Sequence, residues 1–474
     1  MKKYIIYSFL ITLLFFSCND DSFLDETPKG VVIPETVEDY DLMLNNLQDL
    51  IGNNLPYLDP DNGAAHAGIS FLGQLALNVF EWKDFLYTQE QDDGDWNNAY
   101  QSIFVANEIL ANIDDAPGSS ESLRAFVKGD ALTERAAVYF LLVNLYAKHY
   151  NAASASTDLG VPIVLKADVF QEPQARATVQ EVYDQIIADL MAAKDLVRTV
   201  RPREAKRGSL AAVNGLLAKV YLYMSDFEKA QSYADDSFTD HGQLINFNDF
   251  TLPDPADSST FPDHPYAGIE NDGAYLNNEE IVLHRNTTRF IFGIAGYSAG
   301  LEALYTDKIN DLRWRHYSDV SFFGSYFAYG GINSFALNGD RRYDRTILVS
   351  TPETLLIRAE AKARNQDKDG AIADLNLLRA KRFTTGTGQL DPMDYATDEE
   401  ALQEVLNERR RELAFTGLNW FDLKRYHTEG RTIPTFTRDA AGTIVTLEPG
   451  SNRYVMAIPP KVVLLNPNLE QNDR

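Results

Sequence analysis

Apolar residues recur at the helical period over most of the interval from Trp96 to Phe238. In WNNAYQSIFVANEILANID (96–114), Trp96, Tyr100, Ile103, Val105, Ala106, Ile109 and Leu110 fall on one face, which predicts an amphipathic helix with Trp96 in the core. The run SSESLRAFVKGDALTERAAVYFLLVNLYAKHY (119–150) opens on a serine cap with a glutamate in its first turn. Gly160 and Pro162 then mark a turn. In TVQEVYDQIIADLMAAKDLV (178–197), Thr178 and Glu181 have the spacing of a capping box.

Two later stretches repeat a spacing. In 215–238, Ala218 and Ala230 stand twelve apart, with Tyr221 and Phe227 between them and Ala234 after. In 353–382, Ala359 and Ala371 do the same, flanked by Leu355 and Leu375. Small residues at these offsets let antiparallel helices approach closely while larger neighbours fill the gap beside them. The prediction is a mainly α protein of stacked, tetratricopeptide-like helix pairs in a right-handed superhelical scaffold. The interval of about 241–350 breaks the pattern. It is rich in Pro, Gly, Asn, Asp and aromatics, and its short apolar bursts at 280–285 and 289–294 read as strands in a long irregular insertion.

The amino terminus has a different character. Lys2 and Lys3 precede an uncharged run at 4–16 that is short for a bilayer-spanning helix and has the form of a signal peptide. It ends at Ser17-Cys18, and Cys18 is the only cysteine of the 474 residues. The arrangement resembles a bacterial lipobox, with cleavage before Cys18 and diacylglycerol on its thiol. Asp20 and Asp21 resemble an export signal to the outer leaflet of the outer membrane. Several acyl chains hold a protein on a membrane without a spanning helix. The expected organisation is a leader at 1–17, a lipidated tether at 18–35, an N-terminal helical region at 36–240, and a C-terminal region at 241–474 that carries the insertion.

Composition narrows the partners. The chain has 43 basic and 69 acidic side chains, a net charge of -26, which disfavours nucleic acid because phosphate binding needs basic patches. A lone cysteine excludes an intrachain disulfide and a thiolate metal cage. GYSAG (296–300) has the form of a nucleophile elbow around Ser298, but such an elbow needs an α/β sheet, and the surrounding pattern is helix pairs. NQDKDG (365–370) begins like a calcium loop, yet position twelve is Asn376 instead of a bidentate glutamate, so it reads as the turn between paired helices. No metal or other cofactor is therefore expected beyond the lipid on Cys18, and no catalytic residue is assigned.

What remains is binding. Flat aromatic rings set among polar side chains can hold a ligand that has both an apolar face and hydrogen-bonding groups. Two aromatic, polar stretches fit: 78–96, with Trp82 and Tyr87, and 312–333, with Trp314, Tyr317, Tyr326 and Tyr329.

Four stretches, in order, resemble the SusD/RagB family of surface glycan-binding lipoproteins. They are ALTERAAVYFLLVNLYAKHY with GVPIVL after it (131–150, 160–165), LLIRAEAKARNQDKDGAIADLNLLRAKR (355–382), LNERRRELAFTGLNWFDLKRY (406–426) and AIPPKVVLLNPNLEQN (457–472). Thr416, Asn419 and the NDR terminus depart from the family pattern. The charges of the third stretch read as ion pairs on a helix that Gly417 ends, with Trp420, Phe421 and Leu423 packing it down. The resemblance implies an oligosaccharide ligand held by loops, no covalent chemistry, and a SusC-like TonB-dependent transporter as partner in the outer membrane. A RagB-like peptide cargo is the alternative, and a Ser298 surface hydrolase a third.

Overall fold

The computed structural model describes residues 33–47, 53–63, 69, 72–118, 120–168, 170, 172–203, 205–250, 278–285, 296–319, 327–328 and 347–474, excepting the side chains of 46, 317–319 and 327–328. The leader, Cys18 and the burst at 289–294 lie outside them. Along the chain run α1 (Val37–Met43), α2 (Leu55–Leu58), α3 (Gln74–Phe80), α4 (Gly94–Asn112), α5 (Glu121–Tyr146), α6 (Val179–Lys194), α7 (Leu210–Tyr223) and α8 (Phe227–Asp240). After the insertion come α9 (Ala299–Glu302), α10 (Leu312–Tyr317), α11 (Thr351–Arg364), α12 (Lys368–Arg382), α13 (Asp398–Glu412), α14 (Leu418–Thr428) and α15 (Pro460–Leu465).

The caps follow local chemistry. Ser120 caps α5, and Thr178 with Glu181 forms the capping box of α6. Consecutive helices pack as neighbours: α4 on α5, α5 on α6, α7 on α8, and α11 on α12 and α13, with α8 on α11 joining the two halves. Ala218, Ala230, Ala359 and Ala371 are all fully buried at these contacts, as the repeated spacing requires. Residues 365–367 form the α11–α12 turn, with Asn365 ending one helix and Asp367 capping the next, and 368–370 already belong to α12.

The amphipathic expectation fails for α5, which is buried all round from Gly129 to Tyr146. Its charges are tolerated because each is paired. Arg198 donates to Asp130, Arg135 to Asp189, and Arg285 to Glu134. One main core then runs from Leu55 to Leu469 through both halves of the chain. Strands are short and their pairings antiparallel. β1 (Asn62–Gly63), β3 (Gly296–Tyr297), β5 (Phe327–Ala328) and β4 (Ser318–Asp319) pair in that order, while β2 (Ile281–Leu283) pairs with β6 (Val349–Ser350). A hairpin of β7 (Phe436–Ala440) and β8 (Thr443–Leu447) turns at Ala441 and Gly442, both at positive φ.

Gly417 does not end α13. That helix stops at Glu412, and Gly417 caps the start of α14 at φ 81°, where an added Cβ would lie 2.7 Å from the Leu55 backbone. The family departures beside it are used locally. Thr416 Oγ1 donates to the Leu413 carbonyl at 2.6 Å, and Asn419 donates to Asp59 at 2.9 Å.

The charges of α13 are ion pairs, and they are buried. Glu408 accepts from Arg313, Arg379 and Arg411, and Glu412 from Arg313 and Arg382. Arg382 also reaches Glu280, while Arg409 bridges Glu353 and Asp422. These contacts tie two points within the insertion to the C-terminal helices. Burial alone would raise the Glu408 carboxyl, but Arg313, Arg411 and Arg379 hold it well below the ordinary range. Glu408→Gln leaves three buried guanidiniums short of counter-charge and is expected to cost about 3–5 kcal/mol in chemical denaturation; a loss within experimental error would contradict the network.

Glu360 gives the pH counterpart. Burial would raise it, but Arg425 and Arg364 bring it down to about 2 from the ordinary 4.5. A depressed carboxyl contributes stability above its unfolded value that disappears as pH falls through the folded one. The stability gap between parent and Glu360→Gln should therefore shrink from pH 4.5 towards 2 in urea titrations; a gap independent of pH would refute this.

Candidate functional site

Residues 81–93 form a loop between α3 and α4, and the C-terminal segment holds it down. Arg453 donates to Asp84 at 2.6 Å, Lys461 to Asp92 at 2.7 Å, and Arg474 to the Lys83 carbonyl at 2.8 Å. Each contact alone is weak at a surface, but together they fix the loop at three points.

Within the loop the structure places Trp82 in the core, not on the surface. It takes φ 49°, its ring is fully buried, and its indole N–H donates to the Leu58 carbonyl at 2.8 Å. The Arg438 guanidinium lies 4.2 Å from the ring centre and donates to the carbonyls of Tyr57, Phe80 and Asp59. Burial brings Arg438 down to about 9 against the opposing pull of Asp59 and Asp61. Trp82 therefore has no open face for a sugar. Its role is to seat the loop.

Tyr87 is half-buried and also inward. Its hydroxyl donates to Asp93, whose carboxylate receives Asn54 as well. Burial and the neighbouring Asp93 raise Asp95 to about 7, partly offset by the amides of Asn53 and Asn54. This cluster caps α4, with Asp93 accepting from the Asp95 amide.

Trp314 is a second core indole. It is 6% exposed, lies 4.7 Å from the Tyr297 ring and 5.3 Å from the Tyr305 ring, and has Lys308 4.1 Å from its centroid. Tyr297 in turn meets Phe415 at 4.9 Å. Both indoles thus pack inside the main core, not on a ligand face. The backbone of Tyr317 closes α10, but its side chain, Tyr326 and Tyr329 lie outside the described residues.

Ser298 is a helix cap. Its Oγ accepts from the Leu301 amide at 3.1 Å and donates to Asp61 at 3.3 Å. The strand before it, β3, pairs antiparallel, so the strand-to-helix turn of a parallel sheet is missing at this position.

The aromatic that the loop does present is Phe85, 87% exposed. It lines a cleft of about 470 Å³ with Lys83, Asp84, Thr446, Arg453 and the 66% exposed Ile444. This is an apolar platform ringed by donors and acceptors, able to stack a flat ring and take its hydroxyls. Nothing in the order EWKDFLY distinguishes the outward Phe85 from the inward Trp82, because the loop lacks a period.

Two family models match the chain. One, SusD-like and described as starch-binding associating with outer membrane, covers 22–222; the other, the SusD family, covers 351–474. The chain belongs to the SusD/RagB family. Between them the models bracket the insertion. SusD-like protein P2 of Formosa agariphila is 24% identical over 479 residues, covering 90% of this chain and 91% of that one. A SusD superfamily protein of Bacteroides thetaiotaomicron VPI-5482 superposes with a TM-score of 0.68 at 19% identity, covering 93% of this chain and 100% of that one. A laminarin-binding SusD-like protein gives 0.62 at 18%, covering 93% and 99%. These structural likenesses establish the fold: the SusD-like, mainly α architecture expected from the sequence.

The division of roles in the loop can be measured by substitution. Trp82→Ala should cost about 3–5 kcal/mol of stability because it empties a filled core site. Phe85→Ala should stay within about 0.5 kcal/mol of the parent because its ring is outside. Equal losses in thermal or urea unfolding would contradict the assignment.

Proposed function

We propose that this chain is a surface-exposed outer membrane lipoprotein that binds an oligosaccharide and delivers it, chemically unaltered, to a SusC-like TonB-dependent transporter. The observation that carries this reading is the pair of SusD family models on 22–222 and 351–474. Among the described residues no helix is long and apolar enough to cross a membrane. Attachment is assigned to acyl chains on Cys18 after removal of residues 1–17, with 18–35 as tether. The ligand face is assigned to Phe85 and its cleft together with the aromatic stretch of the insertion that contains Tyr317, Tyr326 and Tyr329.

Calorimetry of the full chain in detergent against neutral oligosaccharides, including laminarin and starch fragments, tests the binding step. At least one should bind with little dependence on salt, and Phe85→Ala should weaken it up to about tenfold, the worth of one aromatic stack. Binding confined to basic peptides and abolished by salt would replace the sugar with the peptide cargo of RagB-like relatives. Separately, labelled palmitate should enter the chain and fail to enter Cys18→Ser; labelling of both, or of neither, would overturn the anchor.

A further inference from the structure

A second cleft, of about 480 Å³, opens where the ends of α5 and α14 meet, and residues 450–455 complete its wall. Its lining is more basic in composition than the chain as a whole: Lys148, Lys424 and two histidines face a single carboxylate, Asp158, in a protein of net charge -26, although burial lowers His149 well below the usual imidazole range and so keeps that ring neutral. That carboxylate is already engaged, accepting from Lys148 at 2.9 Å and from Ser154 at 2.6 Å.

The polar groups of this wall are not all satisfied. Lys424 is 5% exposed and donates to the carbonyls of Asn144 and Ala147 at the end of α5. Burial, with no neighbouring carboxylate to offset it, brings its pKa down to about 7. Gly450 has φ 70°, and a Cβ there would lie 2.5 Å from His427 Nε2, so only glycine leaves that imidazole its position. Tyr454 lines the same cleft, 5% exposed, its ring stacked on Trp420 at 4.7 Å. Its hydroxyl is buried and makes no hydrogen bond, a state that native interiors seldom leave unused.

The lining also selects among anions. Both helices present their C-terminal ends, whose carbonyls oppose a dense negative charge, and no arginine fork is present in the wall. A phosphate dianion is therefore poorly served. Asn151, Ser154 and Asn452 instead suit a ligand with many hydroxyls and one diffuse charge.

We propose that this cleft is a subsite for an acidic sugar, with the carboxylate of a uronic acid unit against Lys148 and His427 and its ring hydroxyls against Tyr454, Asn151 and Asn452. This rests on the saccharide-binding reading above and adds a site and a charge class to it.

The test is ligand-observed NMR and calorimetry on the full chain in detergent with glucuronate, glucose, acetate and inorganic phosphate as probes. Glucuronate should bind, and glucose, acetate and phosphate should each bind at least about fivefold more weakly, the worth of one lost polar contact. Lys148→Ala and Tyr454→Phe should each weaken glucuronate about fivefold as well. Tyr454→Phe should melt no lower than the parent, since the hydroxyl it removes has no partner, which separates a ligand role from a folding role. Neutral oligosaccharide binding at the Phe85 cleft should be unchanged in both variants. Absence of glucuronate binding, equal binding of acetate or phosphate as an adventitious anion only, or binding indifferent to both variants would overturn the subsite. If neutral oligosaccharides still bind in those cases, the general reading stands and this inference alone fails; if no saccharide binds, both fail.

Discussion

The structure depends on the buried ion pairs that α13 makes with its surroundings. Glu408 and Glu412 sit where four guanidiniums from α10, α12 and α13 itself converge: Arg313, Arg379, Arg382 and Arg411. Charges withdrawn from water tolerate few arrangements, because each must face its partner at hydrogen-bond distance or incur its full desolvation cost. The network therefore fixes geometry. It sets where Arg313 and Glu280, both within the insertion, and α12 lie relative to one another.

On that base the loops gain definition without being part of the core. The 81–93 loop is seated from below by Trp82 on Arg438 and pinned from the side by Arg453, Lys461 and Arg474. A ring exposed on such a loop loses little conformational freedom when a ligand covers it, which is the usual economy of sugar recognition by aromatics. The acidic surface has a complementary effect. It repels anionic partners in general, so that an acidic ligand depends on local cations such as Lys148.

Much of this was legible in the sequence wherever one rule governed a residue. The twelve-residue spacing of Ala218–Ala230 and Ala359–Ala371 marked close helix contacts, Thr178 with Glu181 marked a helix start, and the charges of 406–412 read as ion pairs. Where two rules competed, the sequence misled. Trp82 and Trp314 stand among polar neighbours, as exposed aromatics do, yet both are covered by contacts outside their own stretch: Arg438 for one, Tyr297 for the other. Gly417 follows a helix closely enough to suggest its end, but its left-handed backbone answers to Leu55, more than 300 residues earlier. The β7–β8 hairpin went unread although Ala441 and Gly442 supply its turn, because the apolar alternation of its strands is shallow and much of it is exposed.

Hydrogen exchange with and without a bound oligosaccharide tests the central claim, that an ion-paired helical frame stays fixed while a seated loop takes the ligand. The amides of α5, α11 and α13 should exchange slowest and be unmoved by sugar, while those around Phe85 should slow on binding. Fast exchange in α13, or protection by sugar that appears in the frame and not in the loop, would contradict it.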